Sequence, residues 1–492
     1  MQSLPANIYS VASVREMDRR AIEDHGIPGY TLMKRAGAAA LNVARSHYPN
    51  ARRWQVVCGA GNNGGDGYVV ARLAAHEGVV VSVLSLLAPE SLSGDAATAY
   101  ADFAAEGGIV MPWAGELDAQ AELLVDAILG SGLERDVAGS YAAAVAALNQ
   151  HPASVHAMDI PTGVNADTGA IMGSAVAADL TTTFVGLKAG LFLGSGRNYC
   201  GELTFSDLDI GEDCRAGIKA IYKRMDDEQL AALLPRRARG AHKGDFGHVL
   251  VIGGGPGMPG AARLCGEAAL RSGAGRVSVA THSEHAALIS AARPELMSHG
   301  ISGSGHLSEL IEKADVIAFG PGLGLSDWAR QCYAVVRGSN KASVWDADAL
   351  NLLAAMPENA SNRVITPHPG EAATLLGINA AQVQADRPGA LAELTGKYGG
   401  VIVLKGAGTL ISSDAGLPFV CSAGNPGMAA AGMGDALTGV IAAMLAQGLS
   451  LSDAAKTGVE LHARAGDVAA LDGERGMLAS DLIAALPGVS NP

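Results

Sequence analysis

CGAGNNGGDGYVVAR, from Cys58 to Arg72, sets five glycines, two asparagines and one aspartate between an apolar run and a helical one. WQVVCG (54–59) reads as a strand and YVVARLAAHEG (68–78) as a helix, so the glycines fall at a strand-to-helix junction. In open parallel α/β sheets such junctions lie beyond the carboxyl ends of the strands, where ligands bind. GNNGGDG is not a P-loop, because no Lys-Ser/Thr follows it. It is not the dinucleotide fingerprint either: Gly59, Gly61 and Gly64 have the GxGxxG spacing, but no acidic residue lies near position 80. Glycines here permit close backbone approach to a ligand, and free helix N–H groups favour a phosphate. Asp66 would be repelled by phosphate, so it reads as facing a hydroxyl, a ribose or a ring.

Outward from this junction the chain alternates. SVREMDRRAIEDHG (13–26) reads as a helix with Ser13 as N-cap and Gly26 as stop, and TLMKRAGAAALNVARSHY (31–48) as a second. VVVSVLSL (79–86), ELLVDAIL (122–129), SVHAMDI (154–160) and DLTTTFV (179–185) read as strands, with GDAATAYADFAAEGG (94–108) and YAAAVAALNQH (141–151) as helices between them. That order predicts a mostly parallel sheet covered on both faces. The alternation lapses between Asp209 and Asp245, where the basic RRARGAHK segment reads as a solvated linker, and a domain boundary is expected near Lys219 to Met225. From His248 it returns through HVLVIGG, RVSVAT, DVIAFG, ASVWDA, RVITPH, VIVLKG and TLISS. Two long helices close the chain, MAAAGMGDALTGVIAAMLAQG (428–448) and SDAAKTGVELHARAGDVAAL (452–471). The expectation is two α/β domains, 1–218 and 219–492.

Composition narrows the class. Of 492 residues, 49% are apolar but only 4% aromatic, as suits helices lying close on sheets through small side chains. With 35 basic against 49 acidic residues the net charge is −14, which argues against nucleic acid or an acidic membrane as partner. The six cysteines are scattered without a CxxC pair and read as reduced thiols of a cytoplasmic protein. No signal-type segment opens the chain, and the apolar run from Val79 is too short to span a bilayer. Helices with small-residue faces favour self-association into a homo-oligomer.

Three further loops sit at equivalent strand ends: DAILGSGLERD (126–136), MDIPTG (158–163) and VGLKAGLFLGSGRN (185–198). They supply Asp126, Asp159 and Thr162, with Asn63 a fourth oxygen donor, a set that suits a hard cation; taken singly, Asp159 and Thr162 read as turn caps. GAGNNGGDGYVVAR, DAILGSGL, DIPTG and GLKAGL, in this order, resemble the NAD(P)HX epimerase domain, or YjeF N-terminal domain, over about residues 10 to 212. The resemblance implies a Rossmann-like three-layer αβα domain that binds NADHX or NADPHX, the hydrated forms of NADH and NADPH. It implies that Asn62, Asn63, Gly64, Gly65 and Asp66 line the hydrate. Gly130, Ser131, Gly132, Leu133, Glu134, Arg135, Asp136 and Asp159 would line it too. Asn63, Asp126 and Thr162 would coordinate potassium. Epimerisation by loss and re-addition of water needs a general acid and base. Asp159, Asp66 and Lys188 are the candidates, with Asp159 preferred because a strand end holds it more firmly than a glycine loop.

In the second half, AGMGDALTG (431–439) puts Gly432, Gly434 and Asp435 at a helix N-terminus, where N–H groups can stabilise a transferring phosphoryl group and Asp435 can accept a hydroxyl proton. KGDFGHVLVIGG, GAARLCGEAALRSGAG, GPGLG, TPHPGE, KGAGT and AGMGDALTG resemble the ADP/ATP-dependent NAD(P)HX dehydratases of the ribokinase-like superfamily, from about Met225 to Pro487. That implies a ribokinase-like α/β domain using Mg2+ with ADP or ATP. Ala261, Gly322, His368 and Asp435 would contact the hydrate. Lys405, Gly406, Ala407, Gly408, Thr409 and Gly434 would contact the nucleotide. Glu371 is expected to shape the His368 loop, and His282 and His285 read as a surface pair. The competing readings are a small-molecule kinase and, for the first half, a non-catalytic nucleotide-binding module.

Overall fold

The computed structural model describes residues 4–413 and 416–491. The chain divides into two compact units, Met1–Lys223 and Arg224–Pro492. Among the described residues no helix is long and apolar enough to cross a membrane, and all six cysteines are free and buried.

The first unit is built on a seven-stranded sheet. Across it run Val110–Pro112, Val80–Ser85, Arg53–Cys58, Leu123–Ala127, Ser154–Met158, Leu180–Phe184 and Glu202–Ser206. Every neighbouring pair is parallel. The order reverses between Arg53–Cys58 and Leu123–Ala127, so right-handed crossovers set helices on both faces. Gly29–His47, Asn62–His76 and Gly94–Ala105 pack together. Gly139–Gln150 packs through Ala144, Val145 and Leu148 on Val57, Leu84, Leu124 and Val155. Leu123–Ala127 and Leu180–Phe184 are buried throughout, as strands covered on both faces must be. The threonines of the second are satisfied internally: Thr181 Oγ1 donates to Cys200 O at 2.7 Å, and Thr182 Oγ1 lies 2.8 Å from His156 Nε2.

Two expectations are corrected at the junctions. The helix after Cys58 begins at Asn62, not near Tyr68, so Asp66 stands on its second turn and not on a loop. The glycines there serve packing inside the fold: a Cβ on Gly59 would stand 1.9 Å from Ile128 O, one on Gly64 2.2 Å from Gly59 O, and one on Gly65 2.5 Å from Met33 Cε. Only Gly61 of the cluster faces open space. The first helix, Val11–Arg19, is capped by Ser10, whose Oγ accepts from Ser13 N at 3.2 Å; Ser13 is inside the helix. A π-helical turn, Arg20–Asp24, extends it to Gly26, whose φ of +68° stops it.

In the second unit seven parallel strands run Met297–Ile301, Arg276–His282, His248–Ile252, Val316–Phe319, Ala342–Trp345, Arg363–Ile365 and Val401–Leu404. Antiparallel Leu410–Ile411 and Phe419–Val420 follow. The helix containing Asp435 spans Met433–Ala446, starting later than the pattern from Met428 implied. It is almost wholly apolar and lies in the core against Pro259–Arg271. The helices meet at Gly439, where a Cβ would stand 2.0 Å from Cys265 O.

Gly439→Ala tests this contact by the sign of its effect. Helix propensity alone would stabilise the variant by about 1 kcal/mol. Collision with a backbone carbonyl that cannot rotate away reverses that, and a lowered urea midpoint for the second unit is expected.

Candidate active sites

In the first unit the strand ends converge on two adjacent groups of polar side chains. One is a charged cluster. Asp159 follows strand Ser154–Met158 with φ +67°, a left-handed conformation uncommon for a residue other than glycine. Lys188 stands in the short strand Leu187–Lys188 and is fully buried. Its ammonium pairs with Asp159 Oδ1 and donates to Thr183 Oγ1 at 3.0 Å and Phe184 O at 2.8 Å, which accounts for its three protons. Ser131 N donates to Asp159 Oδ2 at 3.4 Å, tying the loop after Ala127 to the same carboxylate. Burial first, then the charges of Asp159 and Asp18, push Asp66 well above the usual carboxylate range, while Lys188 opposes them. Asp18 was not singled out in the sequence. Its place in this cluster depends on the packing of the first helix.

The second group is uncharged apart from Asp126. Thr162 Oγ1 lies 2.7 Å from Asp126 Oδ1 and 3.1 Å from Leu129 O, and accepts from Leu129 N at 2.9 Å. Thr162 N donates to Asp126 Oδ2 at 2.8 Å. Asn63 approaches the same segment: a Cβ on Gly130 would stand 3.3 Å from Asn63 Oδ1. The Asn63 amide is buried, and neither its oxygen nor its nitrogen has a hydrogen-bond partner. An unsatisfied buried amide costs about 1–3 kcal/mol and calls for an explanation such as an ion or water. Burial pushes Asp126 up to about 6 against the hydrogen bonds from Thr162 and Ile128. Asn63, Asp126 and Thr162 thus bring oxygen atoms to Ile128–Gly130, a set of the kind a hard cation could take. Asn62, Gly132, Glu134, Arg135 and Asp136 are exposed, with Gly130, Ser131 and Leu133 partly covered.

In the second unit the centre is a buried ion pair. Lys405 Nζ donates to Asp346 Oδ1 at 2.7 Å and lies 3.7 Å from Glu371 Oε2. Thr438 Oγ1 donates to Asp346 Oδ2 at 3.0 Å, which fixes the start of helix Met433–Ala446 against strand Ala342–Trp345. The Lys405 charge holds Asp346 below the usual carboxylate range despite its burial, and Asp346 in turn raises Lys405. Asp435 opens the same helix. Burial, then Asp346, raises it to about 6, with Lys405 opposing and Asp348 and Glu371 adding to the rise. A Cβ on Gly434 would stand 3.3 Å from Lys405 Nζ and 3.4 Å from Asp346 Oδ2, so the helix amino end is pressed onto the pair.

His368 is the N-cap of helix Pro369–Leu376, its Nδ1 accepting from Gly370 N at 3.0 Å, while Glu371 Oε2 accepts from His368 N at 2.8 Å. Gly322 lies close to Ala261, a Cβ on Gly322 standing 2.9 Å from that of Ala261. Gly324 N donates to Asp348 Oδ2 at 2.8 Å.

One residue missed in the sequence and one misread there shape the loops here. Arg387, which is buried, donates to Lys405 O at 3.2 Å, Leu404 O at 3.1 Å and Gly408 O at 3.3 Å, so it holds the carbonyls of KGAGT inward. Gly406 and Ala407 remain exposed at the tip of that loop. His285 is buried, not a surface residue: its Nδ1 lies 3.0 Å from Gly254 O, which also accepts from Thr281 Oγ1 at 2.7 Å.

Comparison with known proteins adds a family. A model described as YjeF-related protein N-terminus matches residues 29–190, and one described as NAD(P)H-hydrate dehydratase matches 249–488. The chain is 46% identical to the bifunctional NAD(P)H-hydrate repair enzyme Nnr of Coxiella burnetii, over 99% of each chain. It is 45% identical to that of Escherichia coli, over 100% of this chain and 95% of the other. A solved ribokinase-like superfamily protein from Enterococcus faecalis superposes with a TM-score of 0.51 at 32% identity, covering 55% of this chain and 96% of its own.

The Asp346–Lys405 pair yields a stability prediction. Asp346→Ala leaves a buried ammonium without its main partner, and breaking such a pair costs about 3–5 kcal/mol. Because Asp346 is held below its unfolded-state value, its contribution is complete above about pH 4 and is lost as pH falls through the folded value. Urea titrations between pH 7 and pH 3 should show the second unit of the wild type losing stability on acidification, with a shallower loss in the variant.

Proposed function

The chain belongs to the family of bifunctional NAD(P)H-hydrate repair enzymes, and from that premise we propose how its two units divide the work. The unit ending at Lys223 interconverts R- and S-NAD(P)HX. The unit beginning at Arg224 dehydrates S-NAD(P)HX to NAD(P)H at the expense of ADP or ATP. Spontaneous hydration of the ring yields both epimers, whereas a chiral pocket accepts one, so the two activities complement each other. The cytoplasm, where the coenzymes and nucleotide meet, is the expected location.

The observation that carries this reading is Asp435 at the open amino end of helix Met433–Ala446, with Lys405, Asp348 and Glu371 around it. A helix leaves its first N–H groups without internal partners, so they can hold a phosphoryl group in transfer. Asp435 takes the proton of the ring hydroxyl, whose oxygen attacks the terminal phosphorus of ADP or ATP. The new phosphate ester then leaves with its C–O electron pair as the ring nitrogen lone pair forms the C=N bond. Loss of the neighbouring ring proton restores the double bond of NAD(P)H. Arg387 keeps the KGAGT carbonyls turned inward, so the loop can offer its N–H groups to the nucleotide. The carboxylates of Asp348 and Glu371 fit the magnesium ion that accompanies the nucleotide, which would neutralise charge on the phosphates.

In the first unit Asp159 is the preferred acid/base residue, held by Lys188, with Asn62 to Asp66 and Gly130 to Asp136 around the hydrate. The orphaned Asn63 amide, Asp126 and Thr162 fit potassium, a large cation that takes carbonyl, carboxylate and hydroxyl oxygens and would fix the glycine junction.

Activity assays and a melting experiment test the reading. With S-NADPHX and ATP, the full chain should restore the near-ultraviolet absorbance of NADPH, and should consume the R epimer as well; accumulation of a stable phosphorylated hydrate would indicate a kinase instead. Asp435→Asn should lower dehydration ~10²–10⁴-fold with hydrate binding retained. In the wild type the rate should fall below about pH 6, as Asp435 becomes protonated. Potassium should raise the melting temperature of the wild type relative to equal concentrations of choline chloride. Asn63→Leu, lacking the amide oxygen, should not respond.

A further inference from the structure

Helix Val11–Arg19 precedes the 29–190 span matched by the first family model, yet it packs on the first site. The strand before it brings it there. Tyr9 pairs in register with Lys188, and Val11 N donates to Asp167 Oδ1 at 2.7 Å. The helix then crosses the strand-end loops: a Cβ on Gly186 would stand 3.1 Å from Val14 Cγ2 and 3.7 Å from Met17 Sδ, and one on Gly132 would stand 3.5 Å from Arg15 Nη2. Asp18 lies three residues beyond Arg15 and four beyond Val14, which puts it on the face those two turn to the site.

The acidic residues of this helix differ in their surroundings. Glu16 is bound to Arg19 and Arg20, both at 2.9 Å. Asp18 is half-buried and, among the described residues, makes no hydrogen bond or ion pair. The charged groups facing it come from other elements: Lys188 and Asp159 at the strand ends, and Asp66 on helix Asn62–His76. Burial raises its carboxyl to about 6, with Lys188 pulling it down and Asp159 pushing it up.

We propose that Asp18 is a catalytic proton-transfer residue of the epimerase, delivered by the N-terminal helix to the cluster of Asp66, Asp159 and Lys188. The inference rests on the epimerase reading above. The ring C–O bond breaks with its electron pair going to oxygen, which takes the Asp18 proton and departs as water. The nitrogen lone pair becomes the second C–N bond of the iminium. Water adds to the opposite face: its oxygen bonds to the same carbon, the C=N pair returns to nitrogen, and Asp159 accepts the released proton. The net transfer is one proton from Asp18 to Asp159, which exchange with solvent reverses. A partly desolvated carboxyl without a cationic partner is suited to arrive protonated, and a carboxylate paired with lysine is suited to receive.

The test uses full-length Asp18→Asn and Asp18→Glu. Interconversion of R- and S-NADPHX is followed by chromatography, with the spontaneous rate subtracted, and ATP-dependent dehydration of S-NADPHX is measured in parallel. Asp18→Asn should lose ~10²–10⁴-fold in interconversion with dehydration unchanged, and Asp18→Glu should recover part of the loss. The wild-type interconversion rate should fall as pH rises through about 6, where Asp18 gives up its proton, and that limb should be missing in Asp18→Asn. A variant at the wild-type rate overturns the proposal. So does a slowed variant that keeps the wild-type pH profile, which is what a purely structural role for the helix would give. A wild type that dehydrates the S epimer but interconverts nothing sinks the epimerase reading itself, and this inference with it.

Discussion

Each unit buries one lysine against one aspartate at the carboxyl edge of a parallel sheet, Lys188 with Asp159 and Lys405 with Asp346. A buried ammonium is tolerated only when paired and hydrogen-bonded, so the elements around it are constrained to supply partners. For Lys188 these are the threonine and carbonyl at the end of strand Leu180–Phe184. For Lys405 they are Asp346 and Glu371, with Asp346 further held by Thr438 from the helix that carries Asp435. The strain at these edges is local: Asp159 has φ +67°, and Ala347, directly after Asp346, has φ +51°. Left-handed non-glycine residues cost about 1–3 kcal/mol each and persist where the surroundings over-determine them, typically at functional sites.

Much of this architecture was readable from periodicity because strands buried on both faces are continuous apolar runs. Leu123–Ala127, His248–Ile252 and Val401–Leu404 carry that signal plainly. Three of the strands that went unread, Val110–Pro112, Glu202–Ser206 and Met297–Ile301, are sheet edges, partly exposed and mixed in composition. An edge strand is defined by its neighbour more than by its own residues.

The sites divide in the same way. Asp159, Asp435 and the Asn63, Asp126 and Thr162 donors stand at junctions with local signatures. Asp18 lies in REMDRR, a charged run indistinguishable from a solvated helix face until Asn7–Tyr9 pairs with Leu187–Lys188. Arg387 carries no local signature beyond its place at a helix start, and only the fold turns it onto the carbonyls of Lys405 and Gly408. The glycines of GNNGGDG show the converse. They drew attention as ligand-binding glycines, while the physical work they show is to let a helix lie against a strand and its loop.

The two clusters differ in how their excess negative charge is relieved. In the first, Asp18, Asp66 and Asp159 share the single charge of Lys188, and the carboxyls without a direct partner are driven toward the protonated state. Proton donors are what loss of hydroxide from a ring requires. In the second, Asp346 takes the lysine charge, leaving Asp348, Glu371 and Asp435 around an open helix end that favours anions. Above about pH 6 Asp435 is ionised and able to take a proton beside the phosphates that such a helix end would hold. The same motif, a lysine–aspartate pair at a strand end, thus leaves unpaired carboxyls raised to about 6 in both units, suited to give a proton below that value and to take one above it.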